Sequence, residues 1–139
     1  KVGAIGVPFA TERDSESTAG GNAIKFYSAR RLRFKFAKKF TRIVKGKPHA
    51  SGLEIRATVT KNKDGRDGLR CTLVMEGGRY NVAMSCLRTL QDLGTVGKGT
   101  RVTLAGETLT LAEYEAVYNT ASNFRMRIMS ELRRAYGKA

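Results

Sequence analysis

LEIRATVT at Leu53–Thr60, KNKDGRDG at Lys61–Gly68 and LRCTLVM at Leu69–Met75 follow one another without a break. In the first part Leu53, Ile55, Ala57 and Val59 alternate with Glu54, Arg56, Thr58 and Thr60, the period of a half-buried strand. The middle part holds two Asp-Gly pairs, a strong turn signal between apolar runs. The third part reads as a further strand. The three together predict an antiparallel hairpin with a basic tip. Upstream, RRLRFKFAKKF at Arg30–Phe40 has the same period. Leu32, Phe34 and Phe36 alternate with Arg31, Arg33 and Lys35, which predicts a half-buried strand beside the hairpin. Downstream, Glu76-Gly77-Gly78 breaks the pattern and marks a domain boundary, giving residues 1–78 and 79–139.

Past that boundary the apolar period becomes 3.6. Val82, Ala83, Cys86, Leu87, Leu90 and Leu93 share one helical face, and Gly94 suits the position just after a helix end. Arg101–Leu104, a turn at Ala105-Gly106 and Glu107–Leu109 read as a small hairpin. Thr110-x-x-Glu113 is a capping box that opens a short helix through Tyr118. Ser122 caps a last helix with Phe124, Ile128 and Leu132 inside, and Arg125, Arg127, Arg133 and Arg134 outside. The expected fold class is α/β: three strands of a core sheet, then a small α+β domain from about Arg79 to Ala139.

Charge narrows the partners. Lys and Arg number 26 against 12 Asp and Glu, a net +14 over 139 residues, which points to a polyanion, most often nucleic acid. From Lys25 to Lys47 there are ten basic residues and no acidic one, so this stretch reads as a phosphate-tracking surface rather than a mixed solvated face. No apolar run reaches the roughly 18 residues a bilayer span needs, and Lys1–Phe9 lacks the layout of a signal peptide. Two cysteines, Cys71 and Cys86, and one histidine, His49, exclude a disulfide framework and argue against a zinc site; no metal ligand is assigned. The thiols read as buried in a reducing compartment, and His49 as part of a loop-like stretch.

Nucleotide-binding motifs are absent: there is no GxxxxGK[ST], no GxGxxG, no HExxH and no GxSxG. KVGAIGVPF at the start offers Ile5, Val7 and Phe9 as groups that could wedge between bases. Thr11–Gly21 reads as a mobile surface loop. Gly20, Gly21 and Asn22 then open a predicted helix, Asn22–Ala29, whose backbone amides suit phosphate. With the basic strand that follows, this combination serves single-stranded DNA binding.

IGVPF at Ile5–Phe9, GGNAIKFYSARRLRF at Gly20–Phe34 and VTKNK at Val59–Lys63 follow the order of the second half of a RecA-like homologous recombinase, and the chain resembles that family over essentially its whole length. The resemblance implies a core-sheet end followed by a small C-terminal domain, like that of a phage-type recombinase. It implies that Ile5 inserts between base triplets, with Gly6, Val7 and Phe9 in the same DNA loop. Gly20, Gly21 and Asn22 would grip the DNA backbone, while Lys25 and Phe26 lie at the filament interface. Lys61 and Lys63 would reach in trans to the ATP phosphates of the neighbouring subunit, supported by Arg31 on the DNA side. Arg125, Arg127, Arg133 and Arg134 would meet incoming duplex DNA, or simply form a solvated helix face. The complete protein would bind ATP and Mg²⁺, form a helical filament on single-stranded DNA and act in the cytoplasm of a bacterium or a phage-infected host. This chain has neither Walker motif, so alone it would bind neither ATP nor Mg²⁺ and would show no ATPase activity. The alternative is a stand-alone, non-catalytic nucleic-acid-binding accessory protein.

Overall fold

The computed structural model describes residues 26–138. The fold mixes strands and helices, and both of its sheets are antiparallel. Strand β1 (Arg30–Val44) turns into β2 (Lys47–Asn62), which is followed by β3 (Arg70–Glu76) and the short β4 (Arg79–Tyr80). These make one sheet in the order β1-β2-β3-β4. Helix α1 (Val82–Asp92) comes next, then a second sheet of β5 (Arg101–Leu104) and β6 (Glu107–Thr110), and helices α2 (Leu111–Thr120) and α3 (Ser122–Lys138).

Turn chemistry explains the hairpins. Lys45 and Gly46 both have positive φ (48° and 74°), as do Gly77 and Gly78 (55° and 74°) and Ala105 and Gly106 (53° and 83°). Positive φ at both central residues is the two-residue turn whose twist matches the flanking strands. The first of these turns extends the β1–β2 hairpin beyond what alternation suggests. Strand β1 continues to Val44 rather than ending at Phe40, and β2 begins at Lys47 rather than Leu53. His49 is therefore an exposed strand residue opposite Arg42, not part of a loop. The Gly77-Gly78 turn, where composition suggests a boundary, is the tight link into β4.

Three residues are extra in the β1–β2 ladder: Ala37 in β1, and Ser51 and Thr60 in β2. A bulge reverses which face the following side chains use. Because of Ala37, Phe40 lies on the face opposite Phe36 and packs against the core.

That core is one apolar cluster. Val74 from β3 joins Ala83, Leu87 and Leu90 from α1, Val102 and Leu104 from β5, Tyr114 and Tyr118 from α2, and Phe124, Ile128 and Leu132 from α3. Asn81 caps α1, its side chain accepting from the Met84 N–H. Thr110 and Glu113 complete the capping box of α2. The Tyr114 hydroxyl donates to the Ala83 carbonyl at 3.0 Å, so this fully buried phenol is satisfied, and burial holds its pKa well above the ordinary value. Half-buried Arg88 pairs with Glu54 at 3.1 Å, tying α1 to β2. The free thiols of Cys71 on β3 and Cys86 on α1 are half-buried rather than buried, and partial burial raises both. Among the described residues, no helix is long and apolar enough to cross a membrane.

Candidate nucleic-acid interface

The ladder register gives the large sheet two unlike faces. Leu32, Phe34 and Phe36 lie opposite Val59, Ala57 and Ile55, which lie opposite Leu69, Cys71 and Leu73 or one residue from them. Alternation foresees this apolar face, but among the described residues Tyr136 of α3 reaches only its β3 side, and the β1 side is uncovered. Leu32, Phe34 and Phe36 are 58 %, 59 % and 67 % exposed, so the β1 strand is not half-buried on its apolar side. A shallow apolar groove of about 370 Å³ runs between Leu32, Phe34, Val59, Leu69, Leu73 and Tyr136.

The other face is basic. Across the ladder, Arg31 faces Lys61, Arg33 faces Thr58, which faces Arg70, and Lys35 faces Arg56, which faces Thr72. The bulge at Thr60 matters here, because without it Lys61 would fall on the apolar face with Val59. A cleft of about 500 Å³ opens beside α1, lined by Arg56, Arg66 and Arg70 together with Asp67, Thr72 and Asp92. Asp92 accepts from the Thr72 hydroxyl and pairs with Lys98 at 3.6 Å, so its charge is partly balanced and the three arginines set the sign of the cleft. The Arg66 guanidinium also donates to the Tyr136 carbonyl at 3.4 Å. Sequence reading assigns no role to Arg56, Arg66 and Arg70. The available signal was that Arg56 shares a strand face with Thr58 and Glu54, which puts it on the polar side.

One end of the sheet gathers the residues singled out for nucleotide and interface roles. The Lys61 ammonium donates to the Phe26 carbonyl at 3.2 Å, and the Lys63 backbone N–H donates to the Ala29 carbonyl at 3.0 Å. Phe26 itself is exposed, and so is Lys63. Arg30 pairs with Asp64 at 3.2 Å on the surface. Phe26 and Tyr27 are helical and the helix ends before Ser28, short of the Ala29 end that the pattern suggests. Ile5, Gly6, Val7, Phe9, Gly20, Gly21, Asn22 and Lys25, with the Thr11–Gly21 segment, lie outside the described residues.

The four arginines of α3 are exposed but do not form one patch. Arg125 and Arg133, eight positions apart, share a stripe with half-exposed Met129. Arg127 and Arg134, seven apart, share another, where Arg127 donates to the Ala105 carbonyl at 3.4 Å and Arg134 pairs with Glu131 at 3.1 Å. No cluster of three or more His, Cys, Asp or Glu among the described residues could hold a metal ion.

No family model and no curated protein matches the chain.

Proposed function

We propose that the chain is the C-terminal part of a RecA-like, phage-type homologous recombinase. In the complete protein a filament forms on single-stranded DNA, with ATP between subunits, and carries out homologous pairing and strand exchange in the DNA-containing cytoplasm. One observation carries this reading. Phe26, Arg31, Lys61 and Lys63, which the resemblance assigns to the filament interface, the DNA and the neighbour's nucleotide, meet at one end of the sheet, with Lys61 bonded to the Phe26 carbonyl at 3.2 Å. A residue that responds to DNA through the preceding segment is thus one hydrogen bond from a cation suited to phosphate charge. The uncovered apolar face supports the same reading, because it is the surface on which the remaining layer of a recombinase core would pack.

ATP and Mg²⁺ supply the phosphoryl chemistry in the complete protein. This chain's part is the cations at Lys61 and Lys63. The test is complementation. In the complete protein, Lys61→Ala or Lys63→Ala should cut DNA-stimulated ATP turnover by orders of magnitude and leave nucleotide affinity of an isolated subunit nearly unchanged. Mixing such a variant with one defective in its phosphate-binding loop should recover activity. No recovery at any ratio would show that these lysines do not act in trans.

A further inference from the structure

The β1–β2 hairpin is longer than the sheet it belongs to. Strand β3 pairs with β2 only from Gly52 to Thr58. The pairs Thr41–Ala50, Arg42–His49, Ile43–Pro48 and Val44–Lys47 therefore project as a two-stranded ribbon with no third strand, closed by the Lys45-Gly46 turn. At roughly 3.4 Å per residue, four pairs make an arm of about 14 Å. Every residue from 41 to 50 is exposed.

Two properties of this arm are unusual for a solvated hairpin. The side chains of Arg42, Lys45 and Lys47 make no hydrogen bond or ion pair among the described residues, and no acidic residue occurs between positions 26 and 53. Near the tip, Ile43 and Pro48 sit opposite each other, with Ile43 67 % exposed. An apolar pair held in water at the end of a cationic ribbon gains nothing from the fold itself.

We propose that this ribbon is an arm that enters a groove of double-stranded DNA, with Arg42, Lys45 and Lys47 on the phosphates and the Ile43–Pro48 pair against the base steps. Two-stranded ribbons enter the grooves of duplex DNA, the minor groove included. Apolar and proline side chains at such a tip wedge against base steps, while flanking cations hold the backbone. A single strand is the poorer partner, because residues 41–50 include no Phe, Tyr or Trp on which unpaired bases could stack. The proposal does not rest on the recombinase reading, since a stand-alone DNA-binding protein would use the same arm.

The experiment measures binding of the full chain to a short labelled duplex, to one of its strands and to phosphatidylserine-containing vesicles, across a salt series. One variant combines Arg42→Ala, Lys45→Asn and Lys47→Ala, with asparagine chosen because it tolerates the positive φ at position 45. It should lose about tenfold or more in duplex affinity near 0.1 M salt, and its salt slope should fall by roughly two to three, about 0.9 for each phosphate contact removed. Affinity for the single strand should change less than about twofold. Ile43→Ser should weaken duplex binding with no change in salt slope. Thermal unfolding of each variant checks that the exposed substitutions leave the fold intact. Unchanged duplex affinity, an equal loss on duplex and strand, or a loss confined to the vesicles would each overturn the proposal.

Discussion

The hydroxyl of Ser85 stands where a neighbouring strand would be: it accepts the backbone N–H of Val74 at 2.8 Å and donates to the Asn81 carbonyl at 2.6 Å. One helical turn on, the Thr89 hydroxyl accepts the Thr72 N–H at 3.0 Å. Beyond these, the Tyr136 hydroxyl donates to the Arg70 carbonyl at 2.7 Å. Strand β4 pairs with only the last two residues of β3, so these three side chains, with the Asn81 N–H on the Val74 carbonyl at 2.8 Å, take the place of a neighbouring strand along that edge. A buried backbone group left without a partner costs as much as a lost hydrogen bond, and an open edge invites pairing with another chain.

Ser85→Ala should therefore destabilise the fold by about 1–3 kcal/mol, the cost of leaving a buried donor unpaired. Removing the exposed Thr103–Thr108 hydroxyl contact by Thr108→Ala should change stability by less than about 0.5 kcal/mol. Urea denaturation of the two variants distinguishes an edge held by Ser85 from one held by packing alone.

Two partly buried phenols make stability sensitive to alkali. Burial pushes the phenols of Tyr118 and Tyr136 up to about 12. An unfolded tyrosine ionises near 10, so the fold favours the neutral form. That contribution is whole below pH about 10 and is lost as the pH rises toward 12. The urea midpoint should fall across this window, and Tyr136→Phe should make the fall shallower while lowering the midpoint at neutral pH. A slope identical to wild type would show that Tyr136 is not among the groups responsible.

The open apolar face should bind hydrophobic dyes in the isolated chain and promote self-association as concentration rises. Phe34→Lys with Phe36→Lys should reduce both and leave the thermal midpoint within a few degrees, since the two rings are 59 % and 67 % exposed. Dye fluorescence and light scattering measure it; a large drop in the midpoint would mean the rings are packed in solution.

Gly52 sits where β2 passes β3, and a Cβ there would run into the Met75 carbonyl. Gly52→Ala should cost about 1–3 kcal/mol by forcing the strands apart, in the range of overpacking elsewhere. Gly97→Ala, where nothing stands within 4 Å, is the control.

Local signals were legible wherever one residue type fixes one geometry. Alternation located β2 and β3, the Thr110–Glu113 pair located the start of α2, and Gly94 located the end of α1. The apolar face of the sheet was legible as a pattern, but its exposure was not, because alternation says which side is apolar and nothing about what lies against it. The length of the hairpin arm was hidden as well: Thr41–Ala50 lacks alternation, since neither of its faces is buried. The bulges were invisible because an extra residue shows only against its partner strand. For the candidate site, Lys61, Lys63, Phe26 and Arg31 came from resemblance and prove to be neighbours. Arg56, Arg66 and Arg70 come from three separate segments, and only the folded register brings them together.

Ala37 makes β1 serve two masters. Ahead of it the strand turns its aromatic rings away from the helices, and behind it Phe40 turns toward them. The strand works as two lengths of ribbon joined by a half-twist, so side-chain allegiance here depends on counting rather than on chemistry. Removing that single alanine would leave every other residue in place along the chain and yet exchange the inner and outer surfaces of everything on one side of it. The arm beyond Phe40 can lengthen or shorten by matched pairs with little consequence for the body, whereas the position of this one small residue is fixed for as long as the sheet keeps two different faces.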